Sequence, residues 1–249
     1  VIVVVVGAAL AGFAQGVTGF AFALVALSTW SWVVAPELAA PMSVFGSLVG
    51  MLTTLPLLWR GIDWKRTLPF IVGGLIGIPL GVVLLGFTEP TAFRFGLGVL
   101  LVVYCPAMLL LTPDMKLRWG ARWADGVCGW LGGVLGGLAG ISGPIPTLWT
   151  TMRGWDKDTQ RGVLQGFNTS MHAATLAAYW FAGKLVPGVW NQFLLIAPAI
   201  MLPAIMLPAI GGVLLFRRLS TPVFRRVVLI GLIASGIALL AGSAPATFG

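Results

Sequence analysis

Away from the charged ends of its apolar runs, this chain carries few side chains able to do chemistry, and they fall in three places. Gln15 and Thr18 stand just ahead of Gly19 and Phe20, Ser142 opens Ser142-Gly143-Pro144, and Gln165, Asn168, Thr169, Ser170 and His172 crowd one later run. Only His172 among them titrates near neutrality, so they suit hydrogen bonding to a small polar molecule rather than bond making. Gln165, Asn168 and His172 recur at three- and four-residue spacing, which puts them on one helix face. His172 is the chain's single histidine. An ionisable group deep in an apolar run is costly, which points to substrate or proton handling. Plainer roles stay open. Thr18 and Ser142 can bond back to their own helices, and Gln165, Asn168 and Thr169 can be interhelical hydrogen bonds worth about 0.6 kcal/mol each.

Other chemistries fail on inventory. One His with the separated Cys105 and Cys128 cannot assemble a typical zinc site or a bis-histidine haem, so no metal and no cofactor is expected. The seven acidic residues, Glu37, Asp63, Glu89, Asp114, Asp125, Asp156 and Asp158, stand at run ends or in loops, out of reach for an intramembrane aspartyl protease or carboxylate relay. No Ser-His-Asp or Cys-His set finds a third member, and the chain is not expected to be an enzyme. The two cysteines define no disulfide framework. The net charge of +8 does not indicate nucleic acid, because the fifteen Lys and Arg fall in short loops between apolar runs, where membrane insertion places them.

The elements that must position these groups are membrane helices. Hydrophobic residues make up 58% of the chain, charged ones 9%, and mean hydropathy is +1.00. An ordinary globular chain is about a quarter charged. Eight apolar segments are predicted, at 1–30, 36–59, 68–87, 93–112, 126–150, 161–183, 190–216 and 223–243, most of them near the about 20 residues that cross a bilayer as helix. The reading is an all-α polytopic membrane protein forming a single transmembrane domain over 1–249. The first run has neither a basic leader nor a cleavage site, which argues against a signal peptide. Trp30, Trp32, Trp59, Trp64, Trp119, Trp155 and Trp190 near segment ends predict an aromatic belt at headgroup level. Pro198, Pro203 and Pro208 predict a kinked segment seven, with gating open to it.

Two glycine ladders organise the chain. Gly129, Gly133 and Gly137 run beside Gly132, Gly136 and Gly140 at four-residue spacing, which gives a strip where another helix can approach backbone to backbone. The ladder stops at Ser142-Gly143-Pro144, where Pro144 suits the first turn of a new helix. Slid by 121 residues, Ala8, Gly12 and Gly16 fall on Gly129, Gly133 and Gly137, and Gly19 falls on Gly140. Pro69 and Pro79 match Pro198 and Pro208, and Phe93-Arg94 matches Phe224-Arg225, at slightly larger shifts. Two four-segment repeats follow, over 1–115 and 120–249.

Charge decides their relation. If all eight segments cross once, the Lys and Arg divide seven against eight, with no bias. If segment five enters and returns on one side, Arg60, Lys65, Arg66, Lys116, Arg118, Arg122, Arg153, Lys157, Arg161, Arg217, Arg218, Arg225 and Arg226 share the cytoplasmic side, against Arg94 and Lys184. That is the asymmetry membrane proteins show. The repeats then read as inverted, each opening with a Gly-rich broken or re-entrant helix hairpin, broken near Thr18-Gly19 and at Ser142-Gly143. Half-helices starting at Phe20 and Pro144 direct free N–H groups and positive dipole ends at the midplane, which suits a small anion without any buried Lys or Arg. Inverted repeats around such a site are a transporter plan.

The openings GFAQGVTGF and GGVLGGLAGISGP, with the later QGFNTS and its basic loop, resemble the TauE/SafE sulfite exporter family. The resemblance covers essentially the whole chain. It implies secondary transport, as export, of small sulfur-containing anions such as sulfite and organosulfonates across a bacterial inner membrane. Gln15 stands where the second half has Gly136, which makes the two half-sites unequal. The substrate-binding set expected is Gln15, Thr18, Gly19, Phe20, Ser142, Gly143, Pro144, Gln165, Asn168, Thr169 and His172. The lipid bilayer is the expected surrounding; proton or ion coupling and a homodimer stay open. A passive anion channel and a non-transporting membrane assembly protein are the alternatives.

Overall fold

The computed structural model describes residues 2–110, 122–185, 202–218 and 222–247, which form ten α-helices and one 3-10 turn with no strand among them. Segment one is two helices, α1 (Ile2–Thr18) and α2 (Phe22–Trp30). Segments two to four are α3 (Pro36–Leu58), α4 (Trp64–Phe87) and α5 (Pro90–Leu110). Segment five is again two, α6 (Arg122–Ala139) and α7 (Pro144–Met152). Segment six is α8 (Lys157–Phe181), followed by α9 (Leu202–Arg218) and α10 (Pro222–Thr247). The start of segment seven with Pro198, the junction of the two halves, Trp119 and Trp190 lie outside the described residues.

Local chemistry sets several of these ends. Asp63 accepts from the N–H groups of Lys65 and Arg66 and so caps α4, while Asp156 accepts from those of Asp158 and Thr159 and caps α8. α4 runs unbroken through Pro69 and Pro79, and α9 through Pro208. Glu37–Gly61, Trp64–Phe87 and Pro90–Leu110 are long and apolar enough to cross a membrane. Their outer faces leave large apolar side chains uncovered, Ile76 at 67% and Phe87 at 84% exposure among them. Trp30 corrects the predicted belt. It is fully buried, and its Nε1 donates to the Val4 carbonyl at 3.1 Å, while Trp32, Trp59 and Trp64 are exposed as expected.

Glycine packing pairs helices that are far apart in sequence. α6 lies parallel to α4, with Gly129, Gly133 and Gly137 against the carbonyls of Phe70, Gly74 and Ile78. α1 lies parallel to α9 in the same manner, Gly12 against the Ile205 carbonyl and Gly16 against that of Ala209. No side chain intervenes at these crossings, so the helices approach at backbone distance. α3 and α8 cross between the two pairs and run antiparallel. Gly162 of α8 meets Gly61 just past the end of α3, and Gln165 reaches back to Met51.

Each Gly-rich helix ends the same way. Gly19 (φ 88°) and Gly140 (φ 72°) are left-handed, and their N–H groups bond to the carbonyls of Gln15 and Gly136, both at 2.7 Å. A left-handed glycine past the last turn is a common helix stop, because it costs glycine little. α2 then turns back along α1, as the Trp30–Val4 bond requires. α7 turns back along α6, where Trp149 Nε1 donates to Asp125 Oδ1 at 2.7 Å and Arg153 lies 3.6 Å from the same oxygen.

Candidate functional site

The two breaks touch. A side chain at Gly143 would collide with the Cβ of Phe20, so the loop ending α6 is seated on the loop ending α1. Asn168, midway along α8, binds both. It accepts from Ser142 Oγ at 2.8 Å through Oδ1 and donates to the Gly19 carbonyl at 3.2 Å through Nδ2. Ser142 and Asn168 are almost wholly buried, so water is kept from these polar atoms. Ser142→Ala removes the donor and strands Asn168 Oδ1; a loss of about 1 kcal/mol in stability is expected, read from denaturation of the purified protein.

The other expected residues divide. Thr18 back-bonds to the Ala14 carbonyl at 2.8 Å while its oxygen accepts from the N–H groups of Phe20 and Ala21, so it holds the turn that leads into α2. Phe20 presents its ring edge to Tyr104 at 6.1 Å. Pro144 begins α7 and is buried. Gln15 and Gln165 point elsewhere: their amide nitrogens donate to the carbonyls of Ser47 and Met51, one turn apart on α3, both at 2.9 Å. Those two glutamines are interhelical ties, with each Oε1 left without a partner among the described residues. Thr169 bonds back to the Gln165 carbonyl at 2.7 Å, and so is not in contact with either break through that hydroxyl. His172 is 3% exposed, and its Nδ1 has no partner among the described residues.

Sequence reasoning missed the group that matters most electrostatically. Arg161, counted there among cytoplasmic loop charges, is 4% exposed inside α8. Its guanidinium donates to the Gly16 carbonyl at 2.7 Å and to that of Gln15 at 3.4 Å, and it lies 5.3 Å from the Phe216 ring centroid. It also occupies the space where a side chain at Gly19 would stand. No carboxylate pairs with it among the described residues, and its Nε is unpartnered. The α1 carbonyl end supplies only partial negative charge, so a full cation remains beside the break. The signal was available: Arg161 precedes Gln165 by four residues and Asn168 by seven, extending the same face. That face continues through His172 and Thr175 to Tyr179, whose hydroxyl donates to the Gly137 carbonyl at 2.7 Å.

The expectation that no buried Lys or Arg stands at the breaks is therefore corrected. The α7 N-terminus is also a poorer donor set than expected. Pro144 and Pro146 both lack N–H, and Thr147 N is already bonded to the Gly143 carbonyl at 2.9 Å. Of the first turn, Ile145 keeps a free donor. The arrangement can offer an anion one guanidinium, the Asn168 amide, the Ser142 hydroxyl and the first N–H groups of α2.

Compared with known families, the chain matches the model described as sulfite exporter TauE/SafE over residues 4–239. It belongs to this family. No curated protein and no solved structure matches it significantly. A TauE/SafE chain is a membrane protein of an exporter family rather than an enzyme, in keeping with the apolar helices above. Among the described residues of this TauE/SafE member, no three His, Cys, Asp or Glu gather as metal ligands.

Proposed function

We propose that this protein is a secondary transporter that exports small sulfur-containing anions, sulfite or organosulfonates, across the bacterial inner membrane by alternating access. The anion sits where the two breaks meet. The observation that carries this reading is one helix face, on α8, that puts an uncompensated Arg161 and the bridging Asn168 against both breaks. A small oxyanion takes the guanidinium as its countercharge and accepts from the second Asn168 Nδ2 hydrogen and from Ser142 Oγ, which turns from Asn168 Oδ1 to meet it. A sulfonate presents three oxygens, enough for guanidinium, amide and hydroxyl together.

Inverted repeats with re-entrant hairpins supply the moving parts in this reading. Support comes from the equivalent left-handed stops at Gly19 and Gly140, the matched crossings α1 with α9 and α4 with α6, and the antiparallel run of α3 and α8. Asn168 lies near the middle of α8, and this reading puts both breaks at mid-depth of the bilayer. Single cysteines at Lys157 and Arg218 should both label from the cytoplasmic side; labelling of Lys157 only from outside would restore eight simple spans.

His172 lies one turn beyond Asn168 on that face and is the group through which a proton is coupled. His172→Gln should flatten the dependence of transport on pH; an unchanged profile removes the proton from the cycle. The function itself is tested by thermal shift of the purified protein with sulfite, sulfate, thiosulfate, sulfoacetate, taurine and carboxylates, followed by uptake into proteoliposomes. Saturable stabilisation and transport by sulfite or a sulfonate are expected; no response to any of these anions would leave a scaffold role.

A further inference from the structure

On the outer face of the molecule, away from the breaks, the first halves of α4 and α6 enclose a groove of about 540 Å³. The two helices are parallel and begin side by side, so Lys65 and Arg122, each in a first turn, stand at the same end of it. Neither has a carboxylate within ion-pair distance among the described residues. The acid nearest in sequence, Asp63, is held by Arg66 at 3.2 Å and by the α4 backbone N–H groups it caps. Both helix starts add positive dipole ends at the same mouth. Beyond the mouth no charged side chain lines the groove, and only the indoles of Trp123 and Trp130 carry a polar group. Leu68, Val72 and Ile76 wall it, all more than half exposed, and Gly73 and Gly126 form the floor. From Lys65 to Ile76 the groove runs about 16 Å along the helix, most of the length of an extended acyl chain.

We propose that this groove holds one anionic phospholipid, its phosphate between Lys65 and Arg122 and one acyl chain lying over Gly73 and Gly126. Two cations at one end of an apolar channel match a lipid, whose charge is at one end of a hydrocarbon tail. A free phosphate would gain nothing from the channel. A lipid at this place holds the α4–α6 pair together where glycine contacts leave no side chain to clasp.

Native mass spectrometry of the full chain, released from nanodiscs of phosphatidylglycerol or of phosphatidylcholine, tests this. The wild type should retain one phosphatidylglycerol and no phosphatidylcholine. Lys65→Gln with Arg122→Gln should bind it about thirtyfold more weakly, and Val72→Trp, which fills the channel and keeps both charges, should lose it as well. The pair Arg60→Gln with Arg226→Gln, neither of which lines the groove, should retain it. Equal retention by the double variant, equal retention of phosphatidylcholine, displacement of the lipid by inorganic phosphate alone, or a change of oligomeric mass in place of lost lipid would each overturn the proposal.

Discussion

Arg161→Gln should abolish anion binding in a protein that still folds. A unit charge about 4 Å from an anion, at the effective dielectric of about 20 that suits protein sites, is worth about 4 kcal/mol. Losing it lowers affinity about a thousandfold. The fold survives because Arg161 has no carboxylate partner to strand among the described residues, and removing a buried cation also removes its desolvation cost. Glutamine can still donate to the Gly16 carbonyl that Arg161 now holds. Arg161→Lys keeps the charge but not the planar fork that spans the Gln15 and Gly16 carbonyls, so it should fall between wild type and glutamine. Calorimetric titration of sulfite into monodisperse variants measures both. Wild-type affinity in Arg161→Gln would move the site away from α8.

Gly143→Leu should force the two breaks apart and leave protein that neither binds anion nor keeps its thermal stability. A Cβ there would stand 3.0 Å from Phe20 Cγ and closer still to its Cβ. Overpacking of this kind costs about 1–3 kcal/mol and occasionally more. The obstacle is a side chain, Cβ included, so removing it helps: Phe20→Gly added to Gly143→Leu should restore most of the stability but not the binding, since leucine still fills the junction. Gly133→Leu behaves differently. Its Cβ would meet backbone, 2.7 Å from both Gly74 Cα and Gly74 C, and no trimming of a neighbour can make room. That variant should fail to accumulate as folded protein. Melting curves and size-exclusion profiles of the set distinguish the two; a stable, binding-competent Gly143→Leu would contradict the contact between the breaks.

The glycine ladders were legible because backbone packing leaves a mark at every fourth residue, as Gly129, Gly133 and Gly137 do. The breaks were legible too, from Ser142-Gly143-Pro144 and the 121-residue shift that brings Gly19 onto Gly140. What the breaks touch was not. That Gly143 lies on Phe20 depends on the crosswise pairing of helices far apart in sequence, and no local pattern encodes that pairing. The α3 partners of Gln15 and Gln165 were hidden for a related reason: polar side chains in apolar runs look alike whatever they face. Arg161 was hidden by its place in the chain. A basic residue at the first position of a predicted segment, 161–183, reads as interfacial, and only the end of α1 folding onto it makes it buried.

The central claim is that an oxyanion sits between Arg161, Asn168 and the two breaks. Anomalous difference density from crystals soaked with selenite, a heavier relative of sulfite, tests it most directly. One strong selenium peak is expected within hydrogen-bond distance of the Arg161 guanidinium and the Asn168 amide, with Ser142 turned away from Asn168 to meet it. A protein that binds sulfite saturably in solution, yet shows selenium only at other positions, would contradict it.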